Sequence, residues 1–276
     1  MKKTKYLLMK YKITPKKQFS QNFLVAPLIF PRLAEYASLN QRDTVLEIGA
    51  GLGFLTSFLA DKCKHLIAIE SDSRLIKLLH GQLRDRHNID IVEDDVLTAN
   101  LGPFDKVISV PPYHISSPLL LWLFKREFEC AVLIFQKDFA ERIIAPVGSK
   151  HYGWLSVVTY YNTQVRLLTD VPRKMFYPQP NVDSIIVFLE SRKQPPFYLK
   201  DEMFFQQLVQ AFFSHRNRKV KNAALFFIES KKITVRGDAI EVVSSLPYRR
   251  RRVAELTPKE FGELANELKN QSSNHK

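Results

Sequence analysis

Between Asp43 and Phe135 the apolar positions follow two alternating patterns. Short, almost wholly apolar runs at 44–48, 65–70, 89–92, 106–110 and 131–135 read as strands buried on both faces. The stretches 54–63, 73–86 and 116–125 between them repeat their large apolar residues at helical spacing. This alternation predicts a parallel sheet with helices on both faces. Such sheets bind ligands beyond the carboxyl ends of their strands, where the strand order reverses. If the strand ending at Val110 neighbours the strand ending at Ile48, the loops after them face one crevice.

Residues 155–161 read as a helix, and 164–171 and 184–190 as two strands that close the sheet. A polar joint at 191–196 carries Pro195 and Pro196, and beyond it helical spacing recurs at 203–213, 219–229 and 257–269. The expected division is a sheet domain over 18–192 and a small helical domain over 197–276. Residues 1–17 are basic with little core pattern, which predicts an arm rather than a packed element. Gln18 to Leu24 then mixes amides and aromatics ahead of a helix near 27–37.

The turn after the first strand reads Gly49-Ala50-Gly51-Leu52-Gly53. Glycines let the backbone turn tightly against a ligand, and the following helix offers unpaired N–H groups. A dinucleotide fingerprint needs a third glycine where Phe54 stands, and the Gly-Lys-Ser/Thr of a phosphate loop is absent. A tight turn with no ligand is the plain alternative. Two later acids argue against it. Glu70 ends the next strand, where a carboxylate can hold two ribose hydroxyls. Asp95 follows the third strand and can accept from an adenine amino group while the Val96 N–H donates to the ring. Together these suit S-adenosylmethionine, which carries ribose and adenine but no phosphate.

The fourth strand runs into Ser109-Val110-Pro111-Pro112-Tyr113. A side-chain-Pro-Pro-Tyr loop in this place suits methylation of an exocyclic amino group. Acceptors around the amine hydrogens draw the nitrogen lone pair out of the ring, and the prolines fix a carbonyl outward. Tyr113 offers a flat face for a flipped base. Val110 supplies no acceptor, so the Pro111 carbonyl stands alone; Ser109 points to the opposite face of the strand. A rigid turn after a buried strand is the bland reading of the same residues. Phe176-Tyr177-Pro178-Gln179-Pro180 could present Phe176 to the other face of the base, or simply pack in the core.

The net charge of +13 and pI of about 9.6 point first to nucleic acid and less to an anionic membrane surface. Two basic runs carry the excess: Arg216, Arg218, Lys219 and Lys221, and Arg249, Arg250, Arg251 and Arg252. No apolar run reaches the length of a membrane helix, and the N-terminus lacks a signal-peptide core. Cys63 and Cys130 stand far apart and read as reduced thiols of a cytoplasmic protein. No histidine falls in a metal-ligand spacing, so no metal is expected.

In this order the motifs resemble the ribosomal RNA small-subunit adenine dimethyltransferase family (KsgA/Dim1), relatives of the Erm enzymes, over about 13–268. The resemblance implies an α/β class I (Rossmann-like) S-adenosylmethionine methyltransferase sheet with a small C-terminal helical domain that binds RNA or the ribosome. It implies cofactor contacts at Gln21, Asn22, Leu24, Gly49, Gly51, Glu70, Asp95, Val96 and Val110. The target base falls to Val110, Pro111, Pro112, Tyr113 and Phe176. Phe213 to Asn222 and Arg252 to Phe261 resemble the small-subunit enzymes more than Erm. The implied activity is N6-methylation, in the family twice on each of two adjacent adenines near the 3′ end of small-subunit rRNA, by a monomer acting on an assembling subunit. The family's Asn-Leu/Ile-Pro-Tyr is here Val110-Pro111-Pro112-Tyr113, which leaves an alternative: a ribosome-assembly factor of the same fold with weak or no chemistry. A nicotinamide oxidoreductase fits neither Phe54 nor the proline loop.

Overall fold

The computed structural model describes residues 1–16, 21–235 and 237–272; Gln18, Phe19 and Ser20 of the amide-aromatic stretch lie outside them. The chain divides into two compact units, one of Met1–Ala140 with Gln164–Ser191, the other of Glu141–Thr163 with the chain from Arg192 onward.

In the first unit, β2 (Thr44–Ile48), β3 (His65–Glu70), β4 (Ile89–Glu93), β5 (Lys106–Ser109) and β6 (Cys130–Gln136) form where the apolar runs predict strands. Residues such as Val45, Leu46, Leu66, Val107 and Val132 are fully buried, as strands covered on both faces require. With β7 (Thr163–Val171) and β9 (Ser184–Ser191) they make a seven-stranded sheet of order β4-β3-β2-β5-β6-β9-β7. Pairing is parallel from β4 to β6, and β9 runs antiparallel to β6. The order reverses between β2 and β5, which are parallel neighbours, so the glycine turn and the Val110 loop leave the same end of the sheet. The opposite end is tied by Lys106, whose buried ammonium donates to Asp43 at 2.8 Å.

The helices α2 (Phe30–Tyr36), α3 (Phe54–Ala60), α4 (Ser73–Leu83) and α5 (Ser116–Leu123) occupy the intervals between strands. The helix expected near 27–37 begins as a 3-10 turn over Pro27–Ile29. Two-residue strands β1 (Phe23–Leu24) and β8 (Phe176–Tyr177) pair with each other, Leu24 opposite Phe176.

The basic N-terminus is not an arm. It forms α1 (Lys2–Lys10), with Thr4, Leu7 and Leu8 buried. Leu7, Leu8 and Ile13 join Phe23, Leu52, Leu75 and Leu78 in one apolar cluster. The lysines lie on the rest of the helix surface and hide this stripe from a reading by composition.

The second unit takes α6 in part (Lys137–Ile143), α7 (Trp154–Asn162), α8 (Glu202–Phe213), α9 (Val220–Ser230), α10 (Ala239–Ser245) and α11 (Pro258–Gln271). The boundary expected at 192 therefore misplaces 141–163. Tyr161 on α7 explains why: its ring meets Phe197 and Phe205 at 5.1 and 5.6 Å, and its hydroxyl donates to Glu202 at 3.0 Å. Phe212, Phe227 and Phe261 fill the centre of this unit.

Among the described residues, no helix is long and apolar enough to cross a membrane.

Candidate active site

β2 delivers Glu47 and Ile48 to the turn, and Gly49, Gly51 and Gly53 all take positive φ, at 78°, 57° and 75°. The turn is closed by Gly49 N–H donating to the Ile69 carbonyl at 2.8 Å. A Cβ on Gly49 would stand 3.0 Å from Cδ of Pro112, so the glycine turn and the target-base loop are in van der Waals contact.

Glu70, at the end of β3, anchors the turn. Its carboxylate accepts from the backbone N–H of Gly51 (3.0 Å), Ser71 (2.9 Å) and Asp72 (3.0 Å). Burial raises its pKa above the ordinary carboxylate range, and these three donors oppose the rise. Asp72 caps α4 by accepting from the Arg74 N–H, and it takes both the Arg74 guanidinium and the Gln21 amide (2.9 Å). Arg74 holds the Asp72 carboxyl down to about 2. Gln21 is thus oriented through a residue that the sequence reading gave no role; the signal was an acid immediately ahead of a helical run.

Two adjoining chambers open above this turn. One is lined by Asn22, Leu24, Phe30, Glu47, Gly51 and Val110. The other, about 200 Å³, is lined by Glu70, Ser71, Asp95, Val96, Pro112 and Ile115. Gln21, Pro111, Tyr113 and His114 border a third part of the same cleft. Asp95 is exposed, and its Oδ1 caps the Leu97 N–H at 3.0 Å. Ser109 is fully buried and bonded to both backbone groups of Ile48, so it turns away from the cleft.

Glu47 is the residue that the motif reading passed over. Its carboxyl is 2% exposed, and among the described residues Oε2 has no hydrogen-bond partner. Burial pushes its pKa up to about 8. Such a group stabilises the fold fully below its ordinary value of 4.5, and that contribution is lost as pH rises through about 8. The cofactor-free protein is therefore expected to lose stability as pH rises from 4.5 to about 8, by several kcal/mol at most. Glu47→Gln is expected to flatten the dependence of melting temperature on pH over that range and to raise it at the alkaline end.

Tyr113 and Phe176 do come together, but not as a clamp. Their centroids are 6.3 Å apart at 66°, edge to face, which leaves no parallel-sided slot for a base. Pairing of β8 with β1 draws the Phe176 ring into the core beside Leu24 and Ile186, where it is 2% exposed. The Tyr113 hydroxyl shares a 2.8 Å hydrogen bond with Ser184, and burial pushes the phenol up to about 12. The Pro111 carbonyl has no hydrogen-bond partner among the described residues.

The two basic runs lie side by side in the second unit, paired antiparallel at Lys219 and Arg252. Three of the eight side chains expected to face RNA serve the unit itself. Arg216 donates to the carbonyls of Ser149 and Lys150, Arg251 to Glu260 and the Glu255 carbonyl, and Arg252 to the Asn217 carbonyl. Arg218, Lys219, Lys221, Arg249 and Arg250 are exposed. Among the described residues no group of three or more acids, histidines and cysteines could hold a metal ion.

A reversed-order parallel sheet, a positive-φ glycine turn with a strand-end acid, and a proline-tyrosine loop against that turn define a class I methyltransferase that uses S-adenosylmethionine. The family model "Ribosomal RNA adenine dimethylase" matches residues 13–248, and the chain belongs to that family. It is 40% identical over 250 residues to a probable ribosomal RNA small subunit methyltransferase A of Methanosarcina mazei, covering 90% of this chain and 91% of the relative. Among solved structures it is similar to a dimethyladenosine transferase from Plasmodium falciparum (TM-score 0.77, 29% identity, 90% of this chain and 98% of that one). The 23S rRNA methyltransferase ErmE is also similar, with TM-score 0.63 and 27% identity over 90% of this chain and 100% of that one.

The cleft fits the cofactor. Glu70 and Asp95 sit at the ends of β3 and β4 as a ribose and an adenine require, and the unpartnered Glu47 oxygen suits a cationic amine.

Proposed function

We propose that this protein methylates the N6 atoms of adjacent adenines near the 3′ end of small-subunit rRNA, twice each, acting in the cytoplasm as a monomer on assembling subunits. The observation that carries the reading is the contact between Gly49 and Pro112, which brings the cofactor turn and an unclaimed Pro111 carbonyl to one place. The names of the relatives support the choice of RNA and of subunit.

Gln21, Asn22, Leu24, Gly49, Gly51, Glu70, Asp95 and Val96 hold S-adenosylmethionine, with Glu47 facing its amine. Bound there, the cofactor supplies an electrophilic methyl group on sulfur. The Pro111 carbonyl accepts from the adenine amino group and draws its lone pair out of conjugation. Tyr113 stacks the flipped base, a contact worth about 1–3 kcal/mol, and Phe176 supports the Tyr113 ring from below. Arg218, Lys219, Lys221, Arg249 and Arg250 grip phosphates and so position the RNA without reading its sequence.

Val110 lines the cleft and offers no acceptor. A missing hydrogen bond to a buried polar group costs about 1–3 kcal/mol, or about 5- to 150-fold in rate. Val110→Asn is accordingly expected to methylate undermethylated small subunits faster than the parent by a factor in that range, with little change in cofactor KM. An Asn variant no faster than the parent would show that the loop does not hold the amine as proposed.

A further inference from the structure

The family model begins at residue 13, so α1 lies outside it. Its sequence is Lys-Lys-Thr-Lys-Tyr-Leu-Leu-Met-Lys, and the first acid of the whole chain is Glu35. Thr4, Leu7 and Leu8 face the core, and the opposite face carries Lys2, Lys5, Tyr6 and Met9. Tyr6 and Met9 are 55% and 75% exposed. Among the described residues, Lys2, Lys5, Lys10 and Lys12 form no ion pair.

This face reaches, within the same unit, the short strand that carries Phe176. The Lys5 ammonium lies 5.6 Å above the Tyr177 ring. Tyr177 follows Phe176 in β8, and Phe176 meets Tyr113. We infer that the solvent face of α1 docks the RNA backbone flanking the target adenine, as a contact surface additional to the exposed basic residues of the helical unit. The inference rests on the RNA-methylating reading above. Clustered lysines with no acid among them suit phosphates, and an exposed tyrosine offers a stacking face for an unpaired base. A membrane surface is the poorer partner, because an interfacial helix inserts its apolar face and that face of α1 is already packed against Phe23, Leu52 and Leu75.

The test uses the full chain with Lys2, Lys5, Lys10 and Lys12 all changed to Gln. A control changes Lys62, Lys64, Lys77 and Lys125, exposed lysines elsewhere in the same unit, to Gln. Binding to a synthetic RNA hairpin with two adjacent loop adenines is followed by fluorescence anisotropy across a salt series. The α1 variant is expected to bind about 10- to 100-fold more weakly at low salt, with a slope of log K against log salt shallower by about 3. The control should change much less, and calorimetric affinity for S-adenosylmethionine should stay the same in both. Equal losses in the two variants, or an unchanged slope in the α1 variant, overturn the inference. So does binding of the parent to phosphatidylserine vesicles that the α1 variant loses while its RNA binding persists. If the parent transfers no methyl group yet the slope still falls, the surface stands and the methylation reading fails.

Discussion

Gly49→Ala is expected to lower kcat/KM by about 100-fold or more while the protein stays folded. An L residue held at positive φ is strained by about 1–2 kcal/mol, and Gly49 sits at φ +78°. Its new Cβ would stand 3.0 Å from Cδ of Pro112, a ring whose backbone cannot swing aside cheaply. The turn or the target-base loop must therefore shift, and a misplacement of about 1 Å near reacting groups can lower the rate about 100-fold. Gly102→Ala is the matching control, since a Cβ there meets nothing within 4 Å. Steady-state kinetics together with melting temperatures on both variants separates the damaged site from a damaged fold.

Glu70→Ala is expected to weaken S-adenosylmethionine binding by about 100-fold. The carboxylate collects the N–H groups of Gly51, Ser71 and Asp72 and lies beside the chamber assigned to the ribose. Hydrogen bonds to a charged group contribute about 1.5–3 kcal/mol each, and about 1.4 kcal/mol corresponds to tenfold in affinity. Glu70→Gln retains one acceptor oxygen and should fall between the parent and the Ala variant. Calorimetric dissociation constants within about threefold of the parent for Glu70→Ala would remove Glu70 from the cofactor site.

The sheet was readable because strands buried on both faces have no polar alternation to confuse them. Val45 to Ile48 and Leu66 to Ile69 are apolar apart from Glu47; the neighbouring of β2 and β5 stood only as a condition in the sequence, and the structure meets it. The N-terminal helix was not readable, since its buried Thr4, Leu7 and Leu8 are outnumbered locally by lysines. The place of α7 was hidden for a different reason: chain order puts it before the closing strands, while its apolar face meets helices that come after them.

Within the site, the residues with backbone consequences were legible and those with orientational consequences were not. Three alternate glycines between a strand and a helix permit a tight turn against a ligand, and here all three take positive φ. Nothing in Phe176-Tyr177-Pro178 says that pairing with Leu24 will pull the Phe176 ring inward, so a clamp was expected where an edge contact exists. Nor does a run of arginines disclose which guanidinium groups bond to their own domain, as those of Arg216, Arg251 and Arg252 do. Glu47 stands two residues ahead of the glycine turn, yet nothing in the sequence shows that its carboxyl is buried with one oxygen unpartnered.

The most direct measurement is mass spectrometry of nucleosides from small ribosomal subunits that lack adenine methylation, after incubation with this protein and isotopically labelled S-adenosylmethionine. The account predicts labelled N6-methylated adenosine, with the dimethyl form accumulating and the Val110→Asn variant reaching it sooner. Subunits that bind the protein but yield no labelled adenosine would contradict it and leave an RNA-binding assembly factor in its place.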